Sequence, residues 1–208
     1  MTVRRGARPV RIGITGPIGC GKSTVAHWLG ETPGVVVVDA DRVARDVLAP
    51  GTPETDAVYA RFGEDLRQPD GSLDRSRLGR IVFADAAALH DLEAIVHPAV
   101  RPRILAAMDA AGAAGAAAVV IEAIKLVEGG LAELCDEVWV ITCPPDVQLD
   151  RLVERGTSPD DAQDRIAAQG DLASTLRPAA THVIDTAGPP TATRSRALAR
   201  LELALATV

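Results

Sequence analysis

Aromatic residues are almost missing from this 208-residue chain: two tryptophans, one tyrosine and two phenylalanines make up 2% of it. The core must therefore be filled by Val, Ile, Leu and Ala. Lysine is scarcer still, with only Lys22 and Lys125 among 22 basic residues, the rest being arginine. An excess of positive charge is missing too: the net charge of −6 argues against nucleic acid as a general partner, because a phosphate backbone selects basic surfaces. The three cysteines are odd in number and lack metal-ligand spacing, which excludes a secreted disulfide framework and suits a reducing, cytoplasmic location. No long apolar run is present. The nearest approach, around Ala113 to Val127, is broken by Glu122 and Lys125, so no membrane span is expected. The opening MTVRRGARPV contains no separate apolar segment, and no secretory signal is expected there. No internal repeat is visible.

What is present is a phosphate-loop pattern. Val10, Ile12 and Ile14 form an apolar run with β-branched character, and G-x-x-x-x-G-K-S follows from Gly16 to Ser23. A shuffled chain of this composition would contain the pattern on the order of once in a thousand. Backbone N–H groups must wrap a phosphate chain closely, and a side chain at Gly16 or Gly21 would obstruct that approach. Lys22 is expected to reach the β and γ phosphates and Ser23 to ligate Mg²⁺. The helix starting near Gly21 adds unpaired N–H groups and a positive dipole end. One of the two lysines thus falls where a compact ammonium is needed and a guanidinium would not serve. Cys20 lies inside the loop at a helix N-terminus, which lowers a thiol pKa, and alkylating it is expected to block nucleotide binding. Cys135 and Cys143 read as small core hydrophobes.

Along the chain, Val25, Ala26, Trp28 and Leu29 give the first helix an apolar face. VVVVD (35–39) reads as a fully buried parallel strand ending in an acid. A helix follows with Val43, Ala44, Val47 and Leu48 on one face. From Pro53 to about Gly112 only helices and turns are signalled, too much for one crossover between strands. Strands resume at 116–123 and 136–143. A helix begins at the prolines after Cys143, another is capped by Ser158, and THVIDT gives a fifth strand. Leu198, Leu201 and Leu205 mark one face of a C-terminal helix. The expected architecture is a three-layer α/β P-loop fold, a single domain over 1–208. Its core (9–50 and 115–208) carries five parallel strands, with a helical insertion at about 51–114 and a lid at about 151–175.

A phosphate loop alone fits many activities. No N-K-x-D guanine-selective tetrapeptide occurs, and the third strand ends VVIEA, without the paired acids of larger ATPases. What remains is a small-molecule kinase layout. The stretches ITGPIGCGKSTVA, VVVDADRVARDV, FGEDLRQPDGSLDR, LGRIVF, LEAIVHPAV, QLDRLVER, DRIAAQ and HVIDTAG together resemble the dephospho-coenzyme A kinase family nearly end to end.

That resemblance implies transfer of the ATP γ-phosphoryl group to the ribose 3′-hydroxyl of dephospho-coenzyme A with Mg²⁺. The nucleotide is expected at Gly16, Ile18, Gly19, Cys20, Gly21, Lys22, Ser23 and Thr24, with Arg151 as the lid arginine and Arg155 and Arg165 assisting. Asp41 matches the family's base. An aspartate within reach of the acceptor alcohol can take its proton, although a carboxylate at this point also caps a helix. Asp39 is the candidate for Mg²⁺ or its waters. Asp74 and Arg75, with Leu73, are expected at the wall of the acceptor site, and Arg45 either at a substrate phosphate or paired with Asp41. His97 also matches, but Pro98 makes it a natural helix start. Three departures stand out: Pro17 and Cys20 in the loop, AIKLVE after the third strand, and D-T after the fifth. Lys125, inside the second departure, is expected to contact acceptor phosphates. The partners expected are small molecules, with the chain a monomer or weak homo-oligomer.

Overall fold

Five short runs rich in β-branched residues form one sheet in the computed structural model, which describes residues 8–207. The strands are β1 (Val10–Thr15), β2 (Val35–Asp39), β3 (Ala118–Glu122), β4 (Glu137–Thr142) and β5 (His182–Asp185). All neighbours are parallel, in the order β2-β3-β1-β4-β5. The helices are α1 (Lys22–Gly30), α2 (Ala40–Val47), α3 (Pro53–Phe62), α4 (Arg75–Ala84), α5 (Ala86–Ala113), α6 (Pro145–Glu154), α7 (Pro159–Gln169), α8 (Leu172–Leu176) and α9 (Pro190–Ala206). Residues 1–7, on which the reading of the N-terminus falls, lie outside the described residues. Among the described residues no helix is long and apolar enough to cross a membrane.

The described chain divides into two units, one running to Asp39 and resuming at Met108, the other spanning Ala40–Ala107. In the first, Ile12 and Ile14 of β1 join Val25 and Leu29 of α1, Trp139 and Ile141 of β4, and Leu201 of α9 in one apolar cluster. Leu198 and Leu205 pack against it, so the C-terminal helix docks by the face its leucines mark. Trp139 is fully buried and donates from Nε1 to Glu137 Oε2 at 2.7 Å. β3 is buried along its length, but β2 is not the fully buried strand its valines suggest. It lies at the sheet edge, where Val36 and Val37 remain 37% and 36% exposed. A run of valines marks a strand and its parallel setting; it does not tell an edge from the centre.

The second unit is helical. Thr52 caps α3 by accepting from the Thr55 N–H at 3.2 Å, and Asp74 caps α4 by accepting from the Arg77 N–H at 2.9 Å. Arg75 Nη2 donates to the carbonyls of Arg45 (2.8 Å) and Leu48 (3.1 Å), adding a side-chain donor to the carbonyls at the end of α2. Pro98 does not start a helix. Both Pro98 and Pro102 lie within α5. Each removes one N–H and crowds a carbonyl one turn back. The helix is carried through by Val100 and Ile104, buried and one turn apart.

Candidate active site

The turn from β1 into α1 is pressed against the backbone of β4. Gly16 has φ +143°, and a Cβ there would lie 2.1 Å from the Ile141 carbonyl oxygen. Glycine at this position is therefore required by the protein's own packing as well as by any ligand. Gly21 differs. A Cβ would meet nothing nearer than 3.8 Å, but φ is +87°, so the requirement is conformational. Lys22, only 7% exposed, folds back to donate from Nζ to the Pro17 carbonyl at 3.0 Å. The Ile18 N–H donates to Gln169 Oε1 at 2.8 Å, which ties the loop to the end of α7. Cys20 is fully buried, and its carbonyl accepts from Thr186 Oγ1 at 2.8 Å.

Two cavities flank α1 on different faces. One, of about 430 Å³, is lined by Ser23, His27, Asp39 and Glu122 among others. Ser23 Oγ donates to Glu122 Oε1 at 2.5 Å, and Glu122 is only 9% exposed. The β2–β3 register pairs Asp39 directly with Glu122, so both carboxylates stand at the carboxyl ends of adjacent strands. The second cavity, of about 240 Å³, is lined by Thr24, Trp28, Arg151, Arg155, Thr186 and Pro190 among others. Here Arg151 donates from Nη1 to Thr186 Oγ1 (2.9 Å) and the Gly19 carbonyl (3.4 Å), and from Nη2 to the Thr186 carbonyl (2.6 Å). The arrangement has hard oxygen donors on one side of the helix and guanidinium groups on the other. That is the division a polyphosphate with a divalent cation needs.

A family model described as dephospho-CoA kinase matches residues 10–189, which include the loop, the first cavity and most of the lining of the second. The chain belongs to the dephospho-CoA kinase family. It is 52% identical over 162 residues to a dephospho-CoA kinase of Streptomyces avermitilis, covering 77% of each chain. A Synechococcus dephospho-CoA kinase is 44% identical over 195 residues, covering 93% of this chain and 92% of the relative. Among solved structures, a dephospho-CoA kinase from Campylobacter jejuni superposes with a TM-score of 0.68 at 27% identity, covering 92% of this chain and 95% of that one. As a member of this family the chain is an ATP-dependent kinase.

In this kinase the first unit brings together Lys22, Ser23, Asp39, Arg151 and Arg155 around the loop. Lys125 is exposed in the turn after β3, and Arg165 is exposed on α7. The second unit holds the remaining candidates. Asp41 and Arg45 are exposed on α2, and His97 is exposed on α5. Asp74 and Arg75 cap α4 and the end of α2, as described above.

Sequence reasoning missed Glu122, Thr186 and Gln169 as site residues. Glu122 could have been found as an acid ending the strand beside the loop strand. Thr186 fills the position noted only as a departure, and its hydroxyl links the loop carbonyl of Cys20 to Arg151. The thiol of Cys20 is held below the ordinary value, as expected, but the leading cause is a hydrogen bond donated by Cys143, with Gln148 and the Lys22 ammonium assisting against burial. Cys143 is half-buried and Cys135 is pushed up to about 12 by burial.

Proposed function

We propose that this chain transfers the γ-phosphoryl group of ATP to the ribose 3′-hydroxyl of dephospho-coenzyme A, completing coenzyme A, with Mg²⁺ as the metal. The observation that carries this reading is the placement of Ser23, Asp39 and Glu122 on one side of α1 and Arg151 on the other, with the Lys22 ammonium folded beneath the loop. Ser23, Asp39 and Glu122 offer a hydroxyl and two carboxylates. These are hard oxygen donors of the kind Mg²⁺ takes while it keeps several of its waters. Bound there, the ion would neutralise charge on the β and γ oxygens.

The loop N–H groups and Lys22 bind and orient the β and γ phosphates. Arg151, positioned by Thr186, stabilises charge on the transferring group, a role worth roughly 10³ to 10⁵ in rate where such arginines have been removed. Arg155, lining the same cavity, assists at the nucleotide. Asp41 accepts the proton of the acceptor hydroxyl. Arg45, His97 and Lys125 are the cationic candidates for the acceptor's phosphates. Arg75 contributes by fixing the end of α2, the helix whose first turn carries Asp41. The helical insertion at about 51–114 takes the acceptor, and a lid at about 151–175 closes to keep water from the γ-phosphate. The reading includes a cytoplasmic monomer or weak homo-oligomer acting on small molecules alone.

The test is ATP-dependent turnover of dephospho-coenzyme A, adenosine monophosphate and cytidine monophosphate, with Asp41→Asn alongside. Turnover of dephospho-coenzyme A alone, reduced at least ~10²-fold in the variant, is expected. Turnover of a monophosphate instead would overturn the acceptor, and a variant of normal rate would leave Asp41 as an acid in the first turn of α2.

A further inference from the structure

We propose that Cys20 and Cys143 are a modification site, closing to a reversible disulfide that disables the nucleotide loop. Cys20 stands between Gly19 and Gly21 in the loop, and Cys143 is the first residue after β4. The two residues are 123 positions apart in sequence, yet the Cys143 Sγ–H donates to Cys20 Sγ at 2.8 Å. A disulfide needs about 2.05 Å, so the sulfurs have less than an ångström to travel. Cys135 is not a competitor. It donates to the Leu131 carbonyl at 3.4 Å and lies against Gly13, whose neighbours in β1 face the opposite side of the sheet.

The groups around the buried Cys20 sulfur favour its ionisation. Gln148 Nε2 donates to Cys20 Sγ at 3.3 Å, and Lys22 is close enough to favour a negative charge there. The Cys20 thiol, held below its ordinary value chiefly by its hydrogen bond with Cys143, is the more readily ionised of the two and so the nucleophile. With hydrogen peroxide as oxidant, the Cys20 thiolate attacks one oxygen. The O–O bond breaks, a sulfenic acid forms, and the departing hydroxide takes a proton to become water. Cys143 sulfur then displaces that oxygen from Cys20 as a second water, its own proton going to the leaving group. The S–S bond forms as the S–O bond breaks. Two thiols have lost two electrons and two protons, and one peroxide has become two waters. A dithiol reductant reverses the step by exchange.

The consequence follows from what else Cys20 holds. Its carbonyl is bonded to Thr186, which in turn positions Arg151, and the glycines on either side depend on left-handed backbone. Drawing Cys20 toward β4 moves loop N–H groups that must meet the phosphates. Misplacement near 1 Å costs on the order of 10²-fold in rate in such sites, and the same displacement of the phosphate-binding N–H groups is expected to weaken nucleotide binding at least ~10-fold. That functional half rests on the nucleotide reading, whereas the covalent half does not.

The full chain is treated with hydrogen peroxide and split into two measurements, peptide mapping of cross-links and affinity for a fluorescent ATP analogue. Expected are a Cys20–Cys143 cross-link within one chain and nucleotide binding weakened at least ~10-fold, both reversed by dithiothreitol. Cys143→Ser should bind normally before peroxide and give no Cys20 cross-link after it, while Cys135→Ala should respond as the parent does and serves as the control if Cys143→Ser fails to fold. Oxidation of Cys20 without that cross-link, pairing with Cys135 or with another chain, or a cross-linked protein that binds as the reduced one does would each overturn the proposal. Failure of the reduced protein to bind the analogue would refute the nucleotide reading, and the peptide map would still decide the pairing.

Discussion

Replacing Glu122 by Gln separates the metal reading from a purely structural one. The amide keeps the shape of the side chain and an oxygen that can still accept from Ser23 Oγ, now at 2.5 Å from the carboxylate. A hydrogen bond to a charged group contributes about 1.5–3 kcal/mol and a neutral one about 0.5–1.5. Removing a buried charge also relieves desolvation, so net stability should change by no more than about 1 kcal/mol. That is a shift of about 2–4 °C in Tm for a chain of this size. The effect on metal use should be larger. For a carboxylate one water layer from a divalent ion, roughly 5 Å away, the lost attraction is about 1.7 kcal/mol even at the dielectric constant of bulk water. More than a tenfold rise in the Mg²⁺ concentration for half-maximal rate follows, since about 1.4 kcal/mol is a factor of ten. The assay is initial rate against Mg²⁺ at fixed ATP, with thermal unfolding of both proteins without metal. An unchanged Mg²⁺ dependence in a variant of normal Tm would refute the placement of the metal beside Glu122.

Gly16→Ala should be the most damaging change in the loop, because its Cβ would lie 2.1 Å from the Ile141 carbonyl oxygen and backbone cannot move aside as a side-chain tip can. A loss on the order of 3 kcal/mol or more is expected by denaturant unfolding. Thr186→Ala leaves the Cys20 carbonyl without its partner and Arg151 without one of its acceptors. It should cost about 1–3 kcal/mol and lower kcat/KM for ATP about tenfold, with Thr186→Ser near normal in both measurements. The Arg8 guanidinium, donating to Asp136, holds that carboxyl below the usual range, helped by the Arg11 N–H. Because the folded value is depressed, this contribution is present above about pH 4 and is lost as pH falls through the folded value. Asp136→Asn should therefore flatten the acid limb of stability against pH by a few tenths of a kcal/mol, small because the pair is solvent-screened. An unaltered limb would count against the ion pair.

Local signals were legible where chemistry and backbone need coincide. The loop, the cap by Ser158 and the strand runs could be read because each depends on residues within a few positions of one another. The rest depends on distant neighbours. Four valines announce β2, but its place at the sheet edge follows from β3 inserting beside β1, a fact of strand order. His97-Pro98 looks like a helix start, yet α5 runs through it, with Val100 and Ile104 buried in the turns that follow.

The sequence by itself determined the phosphate loop, the parallel α/β architecture and the family, because these are written in contiguous motifs and in the period of apolar residues. Only the tertiary structure decided which groups stand together around that loop. Glu122 reaches Ser23 across 99 positions, Thr186 reaches Cys20 across 166, and Cys143 reaches Cys20 across 123. A parallel sheet brings the carboxyl ends of strands distant in sequence to one edge. The residues that follow those strands meet there because of strand order and register, which no local pattern encodes.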